Sequence, residues 1–206
     1  MSVEIIDCAQ NSDEWMKARM GIPTASEFST VMAKGRGGKG ESKTRRTYML
    51  KLIGERLTGE LSDGYTNHHM ERGHAMEEEA RNAYAFMTDN DPKLVGFVRN
   101  GEKGASPDSL IDENGLLEIK TKLPHLQLDV LLADKLPPEH KAQVQGQIWI
   151  AEREWADFVS YWPGLPLFVK RVNRDDDYIK TLSDEVDKFL AELHELMESI
   201  NQRYAA

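Results

Sequence analysis

Past residue 88 the spacing of apolar side chains switches from helical to extended, and the switch narrows the folds open to this chain. Before it, Met49, Ile53, Leu57 and Leu61 form an i, i+4 stripe over 44–61, and Met76, Ala80, Tyr84 and Met87 form another over 68–88. After it, 94–99, 105–112 and 116–121 are short and extended in pattern, with an Asn114-Gly115 turn between the last two. Helical spacing returns over 125–134 and, behind Pro137-Pro138, to about residue 151. Two further strands are predicted over 155–162 and 167–172. A long helix over 176–204 then carries Ile179, Leu182, Val186, Phe189, Leu190, Leu193 and Met197 on one stripe. At the amino end, Asn11 or Ser12 caps a helix to Met20 and Gly21-Ile22-Pro23 breaks it. Thr24-Ala25-Ser26-Glu27 reads as a capping box that opens a second helix to about Ala33. This order predicts an α/β fold, a mixed β-sheet flanked by α-helices. There is no repeat and no long linker, so the 206 residues are read as a single domain, 1–206.

Charge is distributed unevenly. The chain carries 26 basic and 35 acidic residues, a net charge of −9, which alone argues mildly against a nucleic-acid partner. Between Lys34 and Arg46, however, six basic residues face one acid, Glu41, and four glycines within 34–43 predict a surface loop. From Asp175 onward nine acids face three bases. A surface negative outside and locally positive suits the docking of a polyanion. No apolar run is long enough to span a membrane, the first residues do not read as a secretory signal, and the single Cys8 excludes an internal disulfide framework and fits a reducing cytosol.

The chemistry concentrates in Ser106-Pro107-Asp108 and, after nine intervening residues, Glu118-Ile119-Lys120. Strand alternation projects Glu118 and Lys120 to one face and Ile119 to the other. The place of Asp108 depends on the turn. A two-residue Asn114-Gly115 turn pairs it with Thr121, facing away from Glu118. A three-residue loop, Glu113-Asn114-Gly115, with a left-handed Gly115 in a bulge, pairs it with Lys120, on the same face as Glu118. A functional site favours the second. Two carboxylates and a lysine on one face are what metal-assisted phosphodiester hydrolysis needs: oxygen ligands for a hard cation, and an ammonium to offset charge on the phosphate. The alternative is an exposed hairpin with a surface ion pair.

Four blocks resemble the phage lambda exonuclease family (YqaJ-like viral recombinases) within the restriction-endonuclease-like PD-(D/E)XK nucleases. They are Trp15-x3-Arg19-x-Gly21-Ile-x-Thr24-Ala-Ser26-Glu27, then Gly73-x3-Glu77-x2-Ala80-Arg81, then the Asp108/Glu118/Lys120 motif, and Ala142-Gln143-Val-Gln145 near Trp149, all within 15–150. The resemblance implies a restriction-endonuclease-like core. It implies Asp108 and Glu118 as Mg²⁺ ligands with the Ile119 carbonyl, Glu77 toward a second ion, and Lys120 as the catalytic lysine, with Mn²⁺ left open as a substitute. It implies Arg19, Ser26, Ser106 and Gln143 as holders of a DNA 5′-phosphate, with Thr24 nearby. Arg36 corresponds to a groove-inserting arginine and Met70 to a wedge at the terminal base pairs.

The implied activity is a 5′→3′ exonuclease on linear double-stranded DNA. It releases 5′-mononucleotides and leaves 3′ overhangs for annealing recombination. The implied assembly is a homotrimeric ring, working with a single-strand annealing protein in a bacterial cytosol and encoded by a phage or prophage. An endonuclease of the same fold, or a DNA-end-binding protein without catalysis, are the alternatives. His68, His69 and His74 are read as structural, since adjacent histidines on a helix diverge by about 100°. Trp149, Trp155 and Trp162 are read as core or interface, and Asp134, Asp157 and Asp184 show no partner pattern.

Overall fold

The computed structural model describes residues 3–35, 37, 40, 42–61 and 68–204, and for 68–75 the backbone alone. Arg36, Lys39 and the side chains of Met70, His68, His69 and His74 lie outside the described residues. Fourteen strands and helices order the described chain as β1 (Glu4–Ile6), α1 (Asp13–Arg19), α2 (Phe28–Val31), α3 (Lys43–Thr58), α4 (His68–Thr88), β2 (Phe97–Asn100), β3 (Lys103–Ala105), β4 (Ser109–Ile111), β5 (Gly115–Thr121), α5 (Pro124–Ala133), α6 (Lys141–Ile150), β6 (Trp155–Tyr161), β7 (Phe168–Asn173) and α7 (Asp176–Tyr204). Short 3₁₀ turns, Ala25–Glu27 and Pro138–His140, precede α2 and α6.

The strands form two sheets rather than one. β1-β2-β3 is antiparallel. The other, β4-β5-β6-β7, is mixed: β5 and β6 run parallel, with Glu118 opposite Phe158 and Lys120 opposite Ser160, and the remaining pairs are antiparallel. The stretch predicted as one strand over 105–112 therefore divides, its first residue closing β3 and its end forming β4. β1 has three residues and shows no pattern in the sequence that would mark it; it exists because Ile5 meets Val98 across the ladder.

The mixed sheet is covered on both faces. Leu116, Ala156 and Phe158 point into a core shared with α2, α3, α6 and α7, while Leu117, Ile119, Val159 and Tyr161 point to Ala80 and Tyr84 of α4. The α7 stripe is buried as its period predicts, from Ile179 to Leu193. The α3 stripe is not: Met49 and Ile53 are inside, but Leu57 is 44% exposed and Leu52 takes an inner place. Steps of four residues advance about 400° on a 3.6-residue helix, so the stripe drifts off the buried face within two steps. Met87 is likewise exposed, past the last contact of α4 with the sheet.

Ser12 caps α1, its hydroxyl accepting from the Trp15 N–H at 3.2 Å. The capping box expected at Thr24 does not form. The Thr24 side chain caps nothing and its hydroxyl meets that of Ser26 at 3.1 Å, because the backbone there is a tight 3₁₀ turn, tied to β3 by a bridge from Thr24 to Gly104.

The hairpin register also differs from both predicted turns. Ile111 opposes Gly115 and Ser109 opposes Leu117, so the loop is Asp112–Asn114. Its left-handed residue is Asp112, at φ 45°, not Gly115. Gly115 is glycine for another reason: a Cβ there would lie 2.3 Å from the Trp155 ring.

Candidate active site

β5 supplies the centre of the site. Glu118 shares the face of Leu116 and enters the larger core, where it is only 2% exposed. An ionised carboxylate in that position costs several kcal/mol unless it is paired and hydrogen-bonded. It is both. Lys120 Nζ lies 2.5 Å from Oε1, Gln143 Nε2 donates to the same oxygen at 2.6 Å, and Gln147 Nε2 donates to Oε2 at 2.5 Å. Both glutamines come from α6, one turn apart, where i, i+4 spacing puts them on one stripe.

Asp108 sits just ahead of β4, half-buried, and brackets Glu118. Its N–H donates to the Leu117 carbonyl at 3.0 Å and its Oδ2 accepts the Ile119 N–H at 2.5 Å. Burial raises its pKa well above the usual carboxylate range, and the charges of Glu118 and Glu77 raise it further. Burial pulls Lys120 down, but Glu118, Asp108 and Glu77 outweigh it and the ammonium pKa ends raised.

Glu77 projects from α4 toward the sheet and Glu78 faces solvent, while Glu79, exposed overall, hydrogen-bonds Tyr161. Arg81, one turn on, binds Glu77 at 3.0 Å and donates to Ser109 Oγ at 3.0 Å, tying the helix to the strand beside Asp108. Ile119 carries its side chain to the opposite face, in the α4 core.

The 5′-phosphate candidates fall into two groups. Arg19 lies 4.2 Å over the Trp15 ring, and Trp15 Nε1 donates to Ser106 Oγ at 2.8 Å, so one indole joins the two. Among the described residues no carboxylate pairs with Arg19, and burial lowers its pKa, as for a guanidinium in a dry place. Ser26 is exposed on the 3₁₀ turn against which α6 packs, beside Thr24. Gln143, in contrast, is engaged with Glu118.

The basic segment is only partly a free positive surface. Arg45 is buried, donates to the Val31 carbonyl, and forms a two-point ion pair with Glu192 of α7 at 2.5 and 3.0 Å. The acidic helix thus neutralises part of the charge that the sequence sets apart.

Asp157, for which the sequence shows no partner, is fully paired. Tyr84 donates to it at 2.6 Å and Arg171 at 2.7 and 2.8 Å. Gln147, Arg81 and the Trp15 bridge were also not assigned roles from the sequence. Arg81 carries a signal in its i, i+4 spacing from Glu77, and Gln147 in the same spacing from Gln143.

Among the described residues no three His, Cys, Asp or Glu side chains lie close enough in this arrangement to share a metal ion. The donor chemistry still fits a hard divalent cation, because the charges of Glu118 and Glu77 both bear on Asp108 and all three offer oxygen. No helix among the described residues is long and apolar enough to cross a membrane.

The YqaJ-like viral recombinase domain matches residues 14–154, which takes in Trp15, Arg19, the acidic strand and Gln143. Comparison with curated proteins gives no match. Among solved structures, the alkaline exonuclease LHK-Exo from Laribacter hongkongensis superposes with a TM-score of 0.85 at 35% identity, covering 94% of this chain and 98% of that one. LHK-Exo in complex with dAMP gives the same TM-score of 0.85 and 35% identity. A phage-related exonuclease from Haemophilus somnus 129PT shares the fold at a TM-score of 0.66 and 14% identity, over 87% of this chain and 96% of that one. Likeness to an alkaline exonuclease over nearly the full length supports a DNA exonuclease role. With the family match running through every block of the site, this chain belongs to the YqaJ-like viral recombinases, the lambda-exonuclease-like branch of the PD-(D/E)XK nucleases.

Proposed function

We propose that this protein is a Mg²⁺-dependent exonuclease that degrades linear double-stranded DNA 5′→3′, releases 5′-mononucleotides and leaves 3′ overhangs for annealing recombination. The observation that carries the reading is the buried Glu118 carboxylate gripped by Lys120 beside a crowded Asp108. A fold needs no charge at that depth; a reaction does. Asp108, Glu118, Glu77 and the Ile119 carbonyl would hold Mg²⁺, or Mn²⁺ in its place. When bound, such an ion lowers the pKa of water and neutralises phosphate oxygens.

The protein's own groups account for the rest. Lys120 keeps its proton and offsets negative charge gathering on the phosphate under attack. Arg19, which pairs with no carboxylate among the described residues, and Ser106 on the same indole favour a terminal phosphate, which carries more charge than a bridging one. Ser26, Thr24 and Gln143 are assigned to the same phosphate on the family resemblance. The dAMP bound by LHK-Exo is a deoxyribonucleoside monophosphate, the class of product this reaction releases. Following the family resemblance, the assembly is a homotrimeric ring around DNA, acting beside a single-strand annealing protein in the cytoplasm of a bacterium. Arg36 and Met70 are assigned to the duplex and its parting end on the same ground.

The test uses linear duplexes with 5′-phosphate or 5′-hydroxyl ends and a closed circle, each with Mg²⁺ or a chelator. Rapid mononucleotide release from the phosphorylated linear DNA alone, and only with Mg²⁺, is expected. Cutting of the circle, or release in chelator, overturns the reading.

A further inference from the structure

We propose that Gln147 is a positioning residue that fixes which oxygen of Glu118 faces the cation. The inference rests on the metal-dependent reading above. Gln147 is 1% exposed and Glu118 2% exposed, so their contact is shut off from water. Its Nε2 is the amide donor on Oε2, while Lys120 and Gln143 both sit on Oε1. The two sides differ in exposure. The Lys120 side chain is 31% exposed and Gln143 is half-buried, so both reach toward the open side, where a cation and DNA arrive. Gln147 approaches from the core. Its neighbours on α6, Val144 and Ile148, are fully buried, and a Cβ on Gly146 would lie 2.4 Å from the Phe28 ring, so the helix has no room to shift.

Two donors crowd one oxygen and one buried donor holds the other. Lys120 and Gln143 can yield Oε1 to an ion without leaving the carboxylate loose, because Gln147 keeps Oε2. The amide is held in this orientation at a cost. Gln147 Oε1 is buried with no hydrogen-bond partner among the described residues, a state that destabilises a fold. Flipping the amide would turn an oxygen toward the carboxylate, so the glutamine serves Glu118 at the expense of its own second atom. A core residue selected for stability alone would be apolar here.

Gln147→Met and Gln147→Leu remove the donor and the stranded acceptor together. Mn²⁺ is titrated by calorimetry into the full chain without DNA, for the parent, both variants and Glu118→Ala. Mn²⁺ affinity is expected to fall about tenfold in both variants, the usual effect of removing a partner that orients a metal ligand, with a melting temperature lowered by the loss of one hydrogen bond to a buried carboxylate but folding retained. The Mg²⁺ concentration giving half-maximal rate should rise in step while the KM for DNA holds. Parent-like Mn²⁺ affinity in both variants overturns the positioning role and leaves the nuclease reading intact. Unfolding of both variants makes Gln147 a core residue and overturns it too. A parent with no Glu118-dependent Mn²⁺ binding overturns the nuclease reading and this inference together.

Discussion

Asp108→Asn should have two opposite effects: loss of nucleotide release and a more stable metal-free protein. Asparagine keeps the size of the side chain and the acceptor that the Ile119 N–H now uses. What it removes is one negative charge from the company of Glu118 and Glu77. As a scale, two unit charges about 5 Å apart at an effective permittivity of about 20 repel by about 3 kcal/mol. Attraction to Lys120 offsets part of this, leaving a net gain of about 1–2 kcal/mol. For a chain of this length that is a rise of about 2–8 °C in melting temperature. The pH dependence gives the sign independently. Because the folded pKa of Asp108 is raised, the native state binds its proton more tightly than the unfolded chain does. The parent's stability from this group is complete below the ordinary carboxylate pKa and is lost as pH rises through the raised value. The advantage of the asparagine variant should therefore be absent in acid and grow toward pH 8. Thermal melts in chelator across that range measure it, and added Mg²⁺ should rescue the parent alone. An asparagine variant that melts below the parent at pH 8 in chelator would refute the argument, since the carboxylates would then not be crowded.

Arg19→Ala should erase the preference for a 5′-phosphate over a 5′-hydroxyl end while hydrolysis itself persists; equal preference in variant and parent, read from initial rates on the two duplexes, removes Arg19 from the phosphate site. Tyr84→Phe deletes the hydroxyl that donates to buried Asp157 at 2.6 Å, and since Arg171 remains on that carboxylate the cost should be about 2 kcal/mol, read as a lower midpoint in denaturant; an unchanged midpoint shows the hydroxyl to be idle. His140 is pushed down to about 4, first by burial and then by Lys122 and Lys120. Its folded pKa lies below the unfolded one, so the stability tied to the neutral ring is intact above about pH 6.5 and drains away as pH falls toward 4. His140→Gln, made in the Asp108→Asn background so that the opposing titration is absent, should flatten that decline; an unchanged slope excludes the ring.

How much of this was legible in the sequence depends on the range of the interactions that fix each element. The α7 stripe was readable because about five turns of one period average out local noise, and the packed face follows from the period alone. β1 was not, because three residues carry no period and their pairing with β2 is set some ninety residues away. The hairpin shows an intermediate case. Asn114-Gly115 looks like turn chemistry, yet the glycine is needed for the Trp155 ring that packs on it, a contact between strands that no local rule contains. The left-handed position passed instead to Asp112, an aspartate being one of the residues that tolerates it.

The site divides along the same line. Glu118 and Lys120 were readable as a pair because strand alternation forces residues two apart onto one face, whatever the rest of the fold does. Asp108 was readable as their companion only if the turn preserved parity. It did, although the register itself moved by two residues, since a slip of two returns every side chain to its own face where a slip of one would not. What no spacing could supply was the amide cage. Gln143 and Gln147 reach Glu118 from a helix more than twenty residues further on, and their stripe looked the same whether it faced water or a buried acid. The burial of Glu118 decides between them: two amide donors spent on a carboxylate that an apolar side chain could replace, with one amide oxygen left unpaired among the described residues, are stabilising only for a protein that must keep that charge in place.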